Sequence, residues 1–290
     1  MRARILGTAA GGGLPQWNCG CWSCVQARAN GTARTQDCIA ISADGLSWYL
    51  VNASADLHGQ LRAAPELAPP AGSRDSPLRG ALLTSAELDH TLGLLSLREA
   101  GGPLTVYATQ PVRSALHTTF PVAALLAQYT AVTWRTVQPA QPILLNGSLR
   151  VQALGLSAKQ PRYTAESAAA HRMDWTVAYR FSDPRGARLV YAPGLAAATD
   201  AFADAISGAD VVLLDGTFAT ADEMGPGSAA RMGHLPIEES LPFLRAHPGP
   251  RYLYTHLNNT NPLCHADSPW HEVLAEANAA VAADGQLLDL

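Results

Sequence analysis

Short apolar runs separated by polar, Gly- or Pro-containing turns recur along the whole chain. They predict strands at Ala3–Leu6, Cys38–Ser42, Trp48–Asn52, Gly80–Thr84, Leu104–Ala108 and Val132–Thr136 in the first half. Leu149–Leu154, Thr176–Phe181, Arg188–Tyr191, Val211–Leu214, Arg251–Thr255 and Gln286–Leu290 follow. Helix-like stretches lie between them, at Thr91–Ala100, Ala197–Ile206, Ile237–Ala246 and Pro269–Ala283. Ser268-Pro269 is a start signal for the last, with Ser at the N-cap and Pro in the first turn. Ala64–Asp75 and Gln160–Met173 read as loops. Strands interleaved with helices predict an α/β chain of two sheets packed face to face with helices outside. No fixed-period repeat or composition shift divides it, so the expectation is one domain over residues 1–290.

Composition narrows the function classes. Apolar residues make up 48% of the chain and charged ones only 15%, which describes a folded protein with a sizeable core. A net charge of −4 without any Lys/Arg cluster argues against a nucleic-acid partner. No run approaches the roughly 18 apolar residues of a membrane-spanning helix. Met1–Gly7 is not followed by the apolar stretch of a signal peptide. The expectation is a cytoplasmic protein without membrane insertion. Three of the five cysteines fall within six positions, which in a reducing compartment points to metal rather than to disulfides.

That cluster, Cys19-Gly20-Cys21-Trp22-Ser23-Cys24, can place three thiolates on one tetrahedral zinc ion. The fourth ligand must come from elsewhere, because Cys38 sits in a predicted strand. A closed site of this kind is structural. A second signal is Leu83-Thr84-Ser85-Ala86-Glu87-Leu88-Asp89-His90-Thr91, where an apolar strand passes through a polar loop into a helix. Asp89 and His90 at such a junction can face a metal above the strand end, although an isolated Asp-His pair is commonly a helix cap beside a surface histidine. A third strand end, Tyr252-Leu253-Tyr254-Thr255-His256, delivers another histidine, followed by Asn258, Asn259 and Asn261. Two imidazoles and one carboxylate with open positions suit non-haem Fe(II) better than structural zinc. The buried run Val211–Leu214 ends in Asp215, and His234 stands at the mouth of the Ile237–Ala246 helix. Both are candidates to orient ligands or substrate, or equally a turn residue and a helix flank. Gly11-Gly12-Gly13 lacks a nucleotide-binding pattern.

The order of these strand-end motifs resembles the metallo-β-lactamase superfamily, whose signature loop reads His-x-His-x-Asp-His. Here the loop holds Ser85, Glu87, Asp89 and His90, and Gly194 of Tyr191-Ala192-Pro193-Gly194-Leu195 stands where superfamily hydrolases carry a bridging Asp. His256 matches the last metal-binding histidine. Longer blocks resemble the pyrroloquinoline quinone (PQQ) biosynthesis protein B family within it. They are Leu6–Gly13 with Pro15–Cys19, Asp89–Glu99, Tyr191–Gly194, Leu214–Thr217, Met232–Leu235 and His256–Pro262, and they cover essentially the whole chain.

The resemblance implies a metallo-β-lactamase-like αββα sandwich with an N-terminal zinc knuckle at 19–24, and participation in PQQ formation. It implies one metal rather than two, on Asp89, His90 and His256, with Fe(II) or another divalent ion bound and Glu87 as an additional candidate ligand. Asp215 and His234 would line the same cavity. The implied activity is Fe(II)- and O₂-dependent hydroxylation of the tyrosine ring of a Glu–Tyr cross-linked precursor, with Arg98, Asn258 and Asn261 as partners for its carboxylates. The alternative is a non-catalytic carrier of PQQ or its precursor towards the periplasm. In phosphonate-pathway phosphodiesterases with a similar knuckle, a His three places after the last motif His completes the zinc site. That position here is Asn259, with Cys264 or His265 as substitutes. A homodimer is compatible with all of this.

Overall fold

The computed structural model describes residues 1–164 and 172–290. β1 (Arg2–Gly7), β2 (Cys38–Ser42), β3 (Trp48–Val51), β4 (Leu78–Leu82), β5 (Leu104–Ala108) and β6 (Val132–Thr136) build the first sheet. A second sheet follows in β7 (Ile143–Leu145), β8 (Leu149–Ser157), β9 (Thr176–Ser182), β10 (Arg188–Ala192), β11 (Val211–Asp215), β12 (Arg251–Thr255) and β13 (Ala279–Val281). The chain then returns to the first sheet, where β14 (Leu287–Asp289) pairs with β1. The two orders, β14-β1-β2-β3-β4-β5-β6 and β13-β12-β11-β10-β9-β8-β7, are mirror-like.

The strands read as unbroken apolar runs because both their faces are covered. In β2, Cys38 and Ala40 join the layer under the first sheet's outer helices, while Ile39 and Ile41 join the layer between the sheets. In β11, Val211 and Leu213 face the first sheet, and Val212 and Leu214 face the second sheet's helices. Outer cover comes from Leu57–Ala63, Leu92–Glu99, Gln110–His117 and Val122–Leu126 on one side, and from Asp200–Ile206, Ile237–Ala246 and Trp270–Ala275 on the other. The expected αββα layering is therefore present. No helix among the described residues is long and apolar enough to cross a membrane.

Two helical expectations change. The stretch expected over Thr91–Ala100 is one α-turn, Leu88–Thr91, continuing as the 3₁₀-helix Leu92–Glu99. Gly93 presses against the backbone of the Ala53–Leu57 turn, where a Cβ would lie 2.0 Å from the Ser54 carbonyl oxygen. The predicted helix Pro269–Ala283 runs only from Trp270 to Ala275. Asn278 takes a left-handed conformation (φ 52), and Ala279–Val281 then pairs parallel with β12. Pairing to an exposed sheet edge outweighs the helix preference of the alanines. The expected loop at Gln160–Met173 contains a short 3₁₀ turn, Arg162–Thr164, and its residues 165–171 lie outside the described residues.

In each sheet four strands run parallel, β3 to β6 and β10 to β13. The loops leaving the C-terminal ends of β4, β11 and β12 meet at one edge of the sandwich, which is where open α/β sheets gather their functional groups.

Candidate metal centre

Beyond β4 the chain passes through Thr84 and Ser85 into the turn Leu88–Thr91, which carries Asp89 and His90. His90 is buried. Its Nδ1 lies 2.7 Å from Ser85 Oγ and 3.3 Å from Thr84 Oγ1. Thr84 is fixed in turn by Asn52, whose Oδ1 accepts from the Thr84 amide at 3.0 Å and hydroxyl at 2.9 Å. Among the described residues His90 Nε2 is buried without a hydrogen-bond partner. Burial pushes the His90 imidazole down to about 4, which keeps it neutral at neutral pH. A neutral imidazole held by one nitrogen offers a lone pair on the other.

His256 follows β12 directly and adopts a left-handed backbone, φ 59, rare for a residue with a side chain. Hydrogen bonds from the Leu257 amide to Thr8 O and from the Ala10 amide to Leu257 O, both 2.8 Å, hold that turn. Strain of this kind costs on the order of 1–3 kcal/mol and persists where neighbours over-determine it. The His256 Nδ1 edge faces Thr217 Oγ1 at 2.8 Å. Thr217 Oγ1 also lies 2.6 Å from Asp215 Oδ1. The threonine has one hydroxyl proton, which goes to the carboxylate, so Oγ1 accepts from His256 Nδ1–H. That places the Nε2 edge 3.2 Å from Asp89 Oδ2. Burial disfavours charge on His256, but its bond to Asp89 and the carboxylates of Asp89, Asp37 and Asp215 raise it to about 9. Burial likewise opposes charge on Asp89, yet the protonated His256 imidazole, 3.2 Å away, holds it well below the usual carboxylate range.

The ligand-capable atoms of Asp89, His90 and His256 all lie within 4.8 Å of one another. Asp215, His234 and His256 meet the same criterion, but the Asp215 oxygens and His234 Nδ1 are hydrogen-bonded to protein groups. His234 Nδ1 bonds Asp215 Oδ2 at 2.6 Å, and Asp215 Oδ1 accepts from the Thr217 amide and hydroxyl. We read this second group as hydrogen-bonded support behind His256. Asp37 is buried beneath it, accepting from the hydroxyls of Tyr191 and Thr255. Burial raises its carboxyl to about 6.

Of the three residues expected at substrate carboxylates, Arg98 and Asn261 are engaged elsewhere. Arg98 lies about 16 Å along the helix from His90, at roughly 2 Å per residue. It pairs with Glu99 and lies over the Tyr129 ring at 5.8 Å, on the outer surface. Asn261 is fully buried, and its amide is taken by Gly216 O (2.8 Å) and the Leu263 amide (2.9 Å). It pins the Thr217 loop to the turn after His256. Asn258 donates to Thr260 Oγ1 at 2.6 Å. Ser85 and Glu87, at the superfamily's histidine positions, are engaged with His90 Nδ1 and with Lys159. A Cβ on Gly194 would lie 3.0 Å from Thr176 Cγ2.

Cys19, Cys21 and Cys24 also converge, their sulfurs within 4.8 Å of one another. The Asn259 side-chain amide reaches all three, at 3.2, 3.3 and 3.5 Å. Burial opposes ionisation of Cys21, but the Cys24 backbone amide and Asn259 outweigh it and bring the thiol to about 7. Burial pushes Cys264 up to about 12, and it donates to Asn258 O. His265 bonds Ser23 Oγ at 2.8 Å and lies against Trp22. Of the three candidates for a fourth group, only Asn259 points at the sulfurs. Cys38 is buried in the core, as its strand position requires.

The beta-lactamase superfamily domain matches residues 47–257. The chain is 39% identical to coenzyme PQQ synthesis protein B of Methylococcus capsulatus, over 98% of both chains, and 39% identical to that of Cupriavidus necator, over 99% of both. The chain belongs to the coenzyme PQQ synthesis protein B family. The crystal structure of Zn²⁺-bound PqqB from Methylobacterium extorquens superimposes with a TM-score of 0.90 at 36% identity, over the full length of both chains. The short form of human tRNase Z, at 13% identity and a TM-score of 0.63, shares the fold. The metallo-β-lactamase fold is thereby shown.

Thr217, Asn52, Thr84 and Asp37 were not legible as functional residues. Of these, Thr84 lay within the Leu83–Thr91 signal and Thr217 ended the Leu214-Asp215-Gly216-Thr217 block.

Proposed function

We propose that this protein acts in PQQ biosynthesis as an Fe(II)- and O₂-dependent hydroxylase of the tyrosine ring of a Glu–Tyr-derived precursor. The observation that carries the reading is the three-ligand face itself. Asp89, His90 and His256 converge, and His90 Nε2 is a buried nitrogen with no hydrogen-bond partner among the described residues. These residues fit a divalent ion. The cation would satisfy His90 Nε2, meet the Asp89 charge and displace the proton from His256 Nε2.

Positions that would complete a two-metal hydrolase site are occupied by Ser85, Glu87 and Gly194. Two imidazoles and one carboxylate leave coordination positions open for substrate and O₂, the arrangement of non-haem Fe(II) oxygenases. When bound, such an ion supplies O₂ activation. The chain's own residues set the geometry. Ser85 and Thr84 orient His90, the Asp215–Thr217 pair orients His256, and the sandwich excludes water from below. Zinc in the M. extorquens relative does not oppose iron here, since a nitrogen and oxygen ligand set binds Zn²⁺ more tightly than Fe²⁺.

The cysteine knuckle is proposed as a separate structural zinc site. Cys19, Cys21, Cys24 and Asn259 would be its ligands, with the amide rotated to present Oδ1.

Anaerobic loading with Fe(II), addition of the precursor and a two-electron reductant such as ascorbate, and then admission of air should give a product one oxygen atom heavier, with the second oxygen atom leaving as water. Tight PQQ binding with no oxidised product would favour the carrier. Product formation that survives His256→Ala would place the chemistry elsewhere.

A further inference from the structure

Lys and Arg together number twenty, and nineteen are Arg, so Lys159 is the chain's single lysine. It lies on the turn after β8, between the two loops that flank the metal centre. Its Nζ stands 3.9 Å from Glu87 Oε1, on the turn carrying Asp89 and His90, and both side chains are 34% exposed. The lysine stem crosses Gly233, the residue before His234. A Cβ on Gly233 would lie 2.5 Å from Lys159 Cδ, and its φ of +79 disfavours any side chain. The ammonium's charge also acts on His90.

Among the described residues this arrangement leaves the ammonium available. At 3.9 Å the Glu87 contact is well beyond the roughly 2.7–2.9 Å of a charge-assisted hydrogen bond, so the donors on Nζ are not used up there. The surroundings are rich in carboxylates, with Glu87, Asp89 and Asp215 around the same centre. A substrate bearing carboxylates needs a cation at the entrance to approach that field. A compact ammonium with rotatable donors can turn from Glu87 to a ligand more readily than a planar guanidinium.

We propose that Lys159 anchors a substrate carboxylate at the mouth of the metal centre, selecting a small polycarboxylate whose other end reaches the ion. The proposal rests on the reading above of a carboxylate-bearing PQQ precursor. It also fills the role that Arg98 and Asn261 do not.

Having one lysine makes the test direct, because the N-terminal ammonium is buried against Asp183. In the metal-loaded protein, acetylation followed by peptide mass mapping reports on Lys159. Saturating PQQ, a tricarboxylic acid, should protect it, and PQQ trimethyl ester should not. Lys159→Gln should weaken PQQ binding roughly 10- to 100-fold, leave the weaker ester binding unchanged and keep the same metal content. Lys159→Arg should restore part of the loss. PQQ that binds while Lys159 stays reactive, or a Lys159→Gln loss shared equally by the ester, would overturn the anchor alone. Wild-type protein that binds neither PQQ nor the precursor would overturn the reading of a carboxylate-bearing ligand and the anchor with it.

Discussion

Thr217→Val removes one hydroxyl and changes side-chain volume little, so it isolates the relay behind His256. The lost oxygen lies 2.6 Å from Asp215 Oδ1, 2.8 Å from His256 Nδ1 and 3.1 Å from His234 Nδ1. Asp215 keeps the Thr217 amide at 2.9 Å and His234 at 2.6 Å, so it stays satisfied. His256 does not, because its buried Nδ1–H loses its acceptor. An orphaned buried donor costs about 1–3 kcal/mol. Loss of an outer hydrogen bond to a metal-ligating histidine lowers metal affinity about 10- to 100-fold. Through about 1.4 kcal/mol per tenfold, that is about 1.4–2.8 kcal/mol, so the two estimates agree. Chelator competition on the iron-loaded protein reads the affinity, and thermal unfolding reads the fold. Thr217→Ser should stay within about threefold of wild type because it keeps the hydroxyl. A Val variant with wild-type affinity and a native melting curve would show that Thr217 does not orient His256, and the relay argument would fail.

Changing Cys19, Cys21 and Cys24 together to Ser should remove one tightly held zinc and lower the melting temperature. Asn259→Ala should loosen that zinc while Cys264→Ser leaves it, and unchanged zinc content in the triple variant would sink the knuckle. Burial alone would raise Asp183, but the N-terminal ammonium, Arg185 and the Ala187 amide hold it down to about 2. Its folded pKa is depressed, so its contribution, on the order of 2 kcal/mol, is present above about pH 4 and lost as pH falls towards 2. Denaturant titrations should therefore show Asp183→Asn weaker than wild type at pH 7, with the gap closing below about pH 3. Gly93→Ala should lower the unfolding free energy by about 1–3 kcal/mol, because its Cβ would lie 2.0 Å from Ser54 O and 2.7 Å from Leu57 Cβ.

The sheets were legible because strands covered on both faces must be apolar at successive positions, and Val211–Leu214 and Arg251–Thr255 show such runs plainly. Asp89, His90 and His256 were legible because each follows such a run. The convergence of Cys19, Cys21 and Cys24 was legible from spacing alone. Asn259 as their neighbour came from resemblance, and the structure places its amide among the sulfurs. What escaped were ordinary polar residues whose partners are distant in sequence. Nothing local in Asn52 announces Thr84, 32 positions on, nor in Thr217 announces His256, 39 positions on. Arg98 failed because a 3₁₀ rise carries it too far from the site. Asn261 failed because a buried amide beside a turn is consumed by backbone groups. Ala279–Val281 failed because a sheet edge supplies pairing that local propensity cannot show.

His234 divides the one-ion reading from its competitor most sharply. As a ligand of a second ion it would need a nitrogen facing that ion, with Asp215 contributing a free oxygen lone pair. Its Nδ1 edge lies 2.6 Å from Asp215 Oδ2, which leaves Nε2 as its one candidate ligand atom, while Asp215 Oδ1 serves Thr217. Its ring stacks on His256, with centroids 5.5 Å apart. Bringing a cation between Asp215 and His234 would break a short buried bond and leave Thr217 to reorient, which releases His256 as well. Ligation of a second ion by Asp215 therefore conflicts with its support of Thr217, and the ion count decides whether His234 Nε2 ligates. His234→Asn should then leave one equivalent of active-site metal in place, since Asp89, His90 and His256 remain. It should loosen that metal by no more than the 10- to 100-fold expected of an outer hydrogen bond. Metal analysis on knuckle-intact protein gives the count, one zinc plus one site ion. A wild-type count one ion higher that His234→Asn reduces by one would make Asp215 and His234 ligands, and the case for an oxygenase built on a single open ion would fall with it.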